Sequence, residues 1–327
     1  MGEFDLIARY FTRPVRRAAL GVGDDCALLA PAPGMQLAVS CDMLVEGRHF
    51  FADVDPEALG HKALAVNLSD LAACGARPLA FTLALALPRV NQPWLQAFAG
   101  GLLRLADDHG CELIGGDTTA GPLNICITVF GEVPAGGALL RNGARAGDDI
   151  YVSGTLGDAR LALDALHGHP QAAALPPALL AAARQRLERP TPRVALGLAL
   201  RGVASSALDV SDGLLGDLGH ILRASGVGAR IELALTTDLI ANCVVSATAE
   251  GQLDADYLQQ CMLAGGDDYE LAFTAPPSLR DAVAAAAQAS GTRVTRIGVI
   301  ETAPGLRLVD ARGLPVTRHY ASFDHFA

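Results

Sequence analysis

The chain has 327 residues, half of them hydrophobic, so there is room for about two domains, each with a full core. A formal net charge of −10 argues against a phosphate backbone or an anionic membrane as the main partner, and Lys62 is the only lysine. The seven cysteines are scattered, odd in number and form no C-x-x-C, which argues against a zinc site. In their apolar settings they read as buried small hydrophobes of a reducing compartment. The start, MGEFDLIARYF, carries acids and no long apolar core, so no signal peptide is expected. The longest apolar run, near Leu79–Leu87, is too short to cross a bilayer, and a cytoplasmic protein is expected.

Residues 3–12 place Phe4, Ile7 and Phe11 at helical spacing, which predicts an amphipathic first helix. After GVGDD, the runs CALLA and MQLAVSCDML read as strands. Pro56 opens a helix through LGHKALAVNLSDLAACG. PLAFTLALAL reads as a buried strand, and QPWLQAFAGGLLRLADDHG as a helix closed by Gly110. CELIGG and LNICITVFGEV are two more strands. The glycine-rich PAGGALLRNGARAGDD marks a boundary or a long functional loop.

IYVSG opens a second block, with helices near 157–167, 176–188 and 193–203. SSALDVS is strand-like, GLLGDLGHILRASG a helix and GARIELAL a strand. YELAFTA, RVTRIGVI and LRLVD supply further strands around the helix SLRDAVAAAAQASG. This alternation predicts α/β or α+β layering in both halves. The halves also share a faint pattern, an S-D helix start and then a GGD loop followed by a strand.

The chain repeatedly sets aspartate beside glycine or serine at the edge of an apolar segment. Asp25, Asp42, Asp70, Asp117, Asp209, Asp212 and Asp267 lie in at least six elements. Taken singly, each reads most simply as a turn or a helix cap. Taken together, converging loops would build an anionic pocket that only cations make tolerable. Magnesium takes a few carboxylates, waters and substrate phosphates, and adjacent glycines let phosphate approach backbone N–H groups. A lysine-poor, acidic protein binding a polyphosphate would need metal ions as its positive charge. There is no P-loop, protein-kinase set, dinucleotide fingerprint, nucleophile elbow or H-E-x-x-H.

Read together, GEFDLIARYF, GVGDDCALL, NLSDLAACGARP, LIGGDTT, LDVSDGLLGDLGHI and GGDDYEL resemble the thiamine-monophosphate kinases, in order and from Gly2 to the terminal FDHFA. That family belongs with aminoimidazole ribonucleotide synthetase and selenophosphate synthetase. The resemblance implies a two-domain fold of that type. A mixed sheet with helices over 1–136 would bind metal and ATP and dimerise, and an α/β domain over 137–327 would complete the site. It implies magnesium ions held by Asp25, Ser40, Cys41, Asp42, Asp70, Asp117, Asp209 and Asp212. ATP would also meet Gly116, Arg141 and Ser211, and thiamine monophosphate would meet His49, Asp267 and Phe323. It implies a homodimer that binds neither nucleic acid nor membrane.

Two positions depart from the family. Cys41 stands where threonine is common, and Asp267 where glutamate is common. The implied reaction passes the ATP γ-phosphoryl to the substrate phosphate in line. That nucleophile is already ionised, so no general base is required. The alternatives are another ATP-dependent member of the superfamily and a non-catalytic magnesium–nucleotide sensor. Residues 1–25 hold no reactive cysteine–lysine pair of the selenophosphate type, and the chain does not end in a cysteine.

Overall fold

The structure is a computed structural model that describes residues 2–236, 239, 253–318 and 320. Contacts divide it into two compact units, one reaching to Leu71 and including Ala76–Ala138, the other holding Ala72–Gly75 and everything from Leu139.

The first unit opens with α1 (Glu3–Tyr10), followed by β1 (Met35–Val45), α2 (Pro56–Ala73) and β2 (Arg77–Leu87). It closes with α3 (Gln92–His109), β3 (Glu112–Ala120) and β4 (Asn124–Pro134). Asn91 caps α3 through its side chain at the Trp94 N–H, and Gly110 ends the helix in the left-handed conformation. The sheet runs β1-β4-β2-β3, so β1 and β3 are its two edges. β1 and β2 lie antiparallel to β4, while β2 and β3 are parallel and joined through α3.

One face of this sheet is buried through Phe81, Leu85, Ile125, Ile127 and Val129. The other stays open along β1, where Leu37, Val39 and Met43 are exposed. Strand alternation therefore sends Ser40 and Asp42 toward the buried face, with Cys41 on the open one.

The second unit contains β5 (Asp149–Ser153), α4 (Asp158–Leu166), α5 (Pro177–Glu188), α6 (Val194–Ala199) and β6 (Ser206–Val210). Then come α7 (Leu214–Ser225), β7 (Gly228–Glu232), α8 (Ala255–Ala264), β8 (Glu270–Ala275), α9 (Arg280–Ser290), β9 (Val294–Glu301) and β10 (Gly305–Val309). The six-stranded sheet runs β10-β7-β9-β5-β8-β6. Every residue of β5, β6 and β8 is buried, and Ile150, Val152, Leu208, Val210, Leu218, Ile221 and Ile297 anchor the core. No helix among the described residues is long and apolar enough to cross a membrane.

Both halves combine sheets with helices, as the α/β and α+β layering requires. Four local expectations give way. CALLA forms no strand; it contributes only a bridge between Leu20 and Leu28. On α1 the buried residues are Leu6 and Tyr10, and Phe4 is 82% exposed. Cys26 and Cys41 are exposed rather than buried, Cys26 in the loop before β1 and Cys41 on an edge strand, where apolar neighbours do not guarantee cover. The S-D pair of the first half lies inside α2 while that of the second precedes α7, so the faint repeat does not hold.

Asp149 is buried at the start of β5 and receives Arg280 Nε and Arg296 Nε, each at 2.6 Å. Burial pushes its carboxyl up, but the hydrogen bonds and charges of Arg280 and Arg296 outweigh that and hold it below the ordinary value. A depressed folded-state pKa contributes stability above the unfolded value of about 3.9, and that contribution is lost as pH falls through the folded value. Asp149→Asn is therefore expected to lower Tm at pH 7. Thermal melts in steps down to pH 3 should show the gap to the parent protein closing on the acid side.

Candidate functional site

The implied site residues fall into three groups. The first sits where β1 meets α2. As an edge strand, β1 has backbone groups without strand partners, and α2 supplies one: Asn67 Oδ1 accepts the Asp42 N–H at 3.1 Å. Asn67 is itself buried, and its Nδ2 donates to the Ala63 carbonyl one turn back. Ser40 Oγ donates to Asp70 Oδ2. Asp42 and Asp70 thus stand as neighbouring acids, and burial first, then the Asp70 charge, pushes the Asp42 carboxyl up to about 7. Two carboxylates and a hydroxyl under that electrostatic pressure are the donor set a hard divalent cation prefers.

Cys41, between them in sequence, takes no part in this group. Its Sγ lies 3.5 Å from Cys126 Sγ and accepts a hydrogen bond from Thr128 Oγ1 on the open face. A magnesium contact from Cys41 would have to come from its carbonyl. His49 half-buries in the turn after β1 and accepts the Val45 N–H on Nδ1 at 3.0 Å, which fixes its ring.

The second group lies on the opposite edge. Gly115–Thr118 of β3, the loop Val22–Asp25 and α1 line a cleft of about 710 Å³. Asp25 and Asp117 are both exposed there, with Glu3, Phe4 and Ile7 on the far wall. Asp117 lies inside a strand, not in a loop, since Gly115–Asp117 pair in parallel with Thr82–Ala84. Asp42 in β1 and Asp70 in α2 also belong to regular elements, so the image of aspartate loops fits only Asp25, Asp212 and Asp267. Gly116 carries φ +143°, and a Cβ there would meet the Leu83 carbonyl at 1.9 Å. Three strand spacings, about 14 Å, separate β1 from β3 across the sheet.

The third group belongs to the second unit. β6 delivers a buried Asp209, then the turn Ser211–Gly213 leads into α7. Asp212 is half-buried and Arg141 exposed, the latter's carbonyl taking the Ser225 hydroxyl at 3.3 Å. Asp267 sits in the left-handed region at φ 65°, and its N–H donates to the Ser211 carbonyl at 2.9 Å.

Two residues that the sequence reading passed over shape this group. Asp217 Oδ2 accepts the N–H groups of Ser211, Asp212 and Gly213 at 3.0–3.1 Å. Burial pushes its carboxyl up to about 6, with Asp212 adding to the rise against the pull of those bonds. Asp268 is fully buried and accepts the Gly157 N–H on both oxygens; burial raises its carboxyl well above the ordinary value. An acid in the first turn of a helix that follows a D-x-S-D turn was the available signal for Asp217.

Ser40, Asp42 and Asp70 are therefore together, Asp25 and Asp117 share the opposite cleft, and Asp209, Ser211, Asp212 and Asp267 surround one turn of the second unit. Among the described residues, no group of three or more His, Cys, Asp or Glu is arranged to hold a metal ion alone. Phe323 lies outside the described residues.

Comparison with known proteins shows the family and the fold. Residues 23–133 match the N-terminal domain of AIR synthase related proteins, and residues 145–311 match the C-terminal domain. The thiamine-monophosphate kinase of Salmonella typhimurium is 47% identical over 331 residues, spanning all of this chain and 98% of its own length. The crystal structure of the thiamine-monophosphate kinase from Stenotrophomonas maltophilia superimposes with a TM-score of 0.83 at 46% identity, covering 93% of this chain and 94% of its own. AaThiL complexed with AMPPCP and TMP superimposes at 0.76 with 30% identity, over 91% and 89%.

The two glycines before Asp117 should respond differently to a methyl group. At Gly115 the nearest atom to a new Cβ is 3.8 Å away, whereas Gly116 combines positive φ with the Leu83 collision. Gly116→Ala is expected to cost about 2 kcal/mol or more in denaturant unfolding, and Gly115→Ala well under 1 kcal/mol.

Proposed function

The chain belongs to the family of thiamine-monophosphate kinases, and on that premise we propose that it transfers the γ-phosphoryl group of ATP to the phosphate of thiamine monophosphate, giving ADP and thiamine diphosphate. The observation that carries this reading is likeness along the whole chain to kinases of that name, one solved with AMPPCP and TMP, with every implied acid present.

The acceptor phosphate is ionised at neutral pH, so the site has to overcome repulsion between two anions rather than remove a proton. Bound magnesium supplies positive charge that screens both phosphates and stabilises the group in flight. Asp42 and Asp70, with the Ser40 hydroxyl fixed on Asp70, hold cations at the β1 edge. Asp25 and Asp117 do so at the β3 edge, Gly116 allowing close approach of the nucleotide. Asp209, Asp212 and Ser211 serve the nucleotide side of the second domain, with Arg141 reaching a phosphate. Asp267 and His49 face the cationic thiamine part, and Asp267, one methylene shorter than glutamate, keeps the charge.

A homodimer is part of this reading. The open face of β1, with Leu37, Val39 and Met43 between 43% and 56% exposed, suits burial against a second copy. The gap between the two sheet edges gives that copy a chemical role: Asp117 of one chain completes the group around Asp42 of the other. In this reading the enzyme works in the cytoplasm, on ATP and thiamine monophosphate.

Incubation with Mg-ATP and thiamine monophosphate, followed by chromatography, is expected to give ADP and thiamine diphosphate in equal amounts. Asp117→Asn should lose roughly 100-fold in kcat, with a much smaller change in the KM for thiamine monophosphate. ATP bound with no thiamine diphosphate formed would sink the substrate assignment.

A further inference from the structure

We propose that Asp217 is a positioning residue that locks the nucleotide-side turn and the thiamine-side loop into one body, an inference that rests on the kinase reading above. Three consecutive N–H groups at the N-terminus of a twelve-residue helix form a ready anion site. Here that site is filled from within. One oxygen of Asp217, only 6% exposed, takes the N–H groups of Ser211, Asp212 and Gly213. Phosphate therefore has no access to this backbone nest, and the turn instead offers the side chains of Ser211 and Asp212, with Asp209 just before it.

The other side of the same turn is held by the loop that carries Asp267. The Asp267 N–H donates to the Ser211 carbonyl, and the Tyr269 N–H to that of Val210, each at 2.9 Å. Gly266 packs so close that a Cβ on it would lie 2.4 Å from the Ser211 carbonyl oxygen. Asp267 and Tyr269 both adopt positive φ, a costly conformation for non-glycine residues that surrounding contacts must enforce. Asp268 between them enforces it, through the Gly157 N–H on its carboxylate and Arg186 on its carbonyl at 3.3 Å. Asp217 thus acts on both ligands: it sets the N–H side of the turn, and the turn's carbonyl sets Asp267.

The test compares Asp217→Ala and Asp217→Asn with the parent chain. Asn keeps an oxygen in the nest, while Ala leaves three N–H groups without their acceptor, the Gly213 one buried, and a hole of carboxylate size. Asp217→Ala is expected to lose about 100-fold in kcat/KM for both substrates, the scale of a displacement of ~1 Å. KM for thiamine monophosphate should rise together with KM for ATP, although Asp217 faces neither. Asp217→Asn should recover most of the loss. In melts without metal or nucleotide, formate should raise the Tm of Asp217→Ala and leave the parent unmoved; in the assay with Mg-ATP and thiamine monophosphate it should restore part of the activity of Asp217→Ala.

Asp217→Ala that is folded with both kinetic constants within twofold of the parent overturns the proposal. So does a defect that neither asparagine nor formate repairs. If the parent chain forms no thiamine diphosphate, the kinase reading fails by itself. Asp217 is then judged on Mg-ATP affinity by calorimetry and on formate-dependent melting, neither of which needs an acceptor.

Discussion

Carboxylates that face one another away from bulk water cannot all stay ionised without positive charge beside them, and the architecture of this chain answers to that constraint. Burial and the charge of Asp70 hold the Asp42 carboxyl near 7, and burial with Asp212 holds Asp217 near 6. Elsewhere the chain meets the same constraint with arginine. Glu270 is fully buried, yet Arg186 and Arg193 reach it at 2.5–2.7 Å, and Asp149 has Arg280 and Arg296. The contrast separates two kinds of acid. Those paired with arginine hold the second unit together. Those along β1, β3 and the β6–α7 turn are the acids that the proposed function assigns to cations and phosphates arriving with the substrates.

Rigidity keeps such acids apart. Asp42, Asp117 and Asp209 sit in strands and Asp70 in a helix, so each is fixed by a ladder of backbone hydrogen bonds. Loops carrying the same charges would relax away from one another. Among the acids that lie in loops, Asp212 and Asp267 are pinned by other groups: Asp217 from one side, and Asp268 with Gly157 and Arg186 from the other. Specific side chains there replace the constraint that regular structure supplies elsewhere.

Much of this was legible in the residues themselves. Pro56 and Gly110 punctuate helices where they should, and the apolar runs after Ala76 and Asn124 become strands of one sheet. GGDTTA was not legible as a strand, because Gly-Asp-Thr has turn chemistry and only the parallel ladder from β2 overrides it. Cys41 reads as a buried small hydrophobe from its apolar setting, yet it lies exposed with Val39 and Met43 on an edge strand, since apolar neighbours cannot say whether anything covers a face. Asp217 was passed over because an aspartate early in a helix is ordinarily a solvated end charge. What could not be read at all was the distance between the acids: order along the chain suggested one cage, and sheet order puts Asp42 and Asp117 on opposite edges.

That separation makes the completion of the site by a second copy the central claim, and subunit mixing tests it most directly. Asp42→Asn and Asp117→Asn chains, each inactive alone, would be co-expressed with different tags in equal amounts and assayed for thiamine diphosphate formation. If each site draws Asp42 from one chain and Asp117 from the other, half of the dimers are mixed and each has one intact site, so activity should return to about one quarter of the parent value. Purified mixed dimers as inactive as either variant alone would contradict the account and require both acids to serve within a single chain.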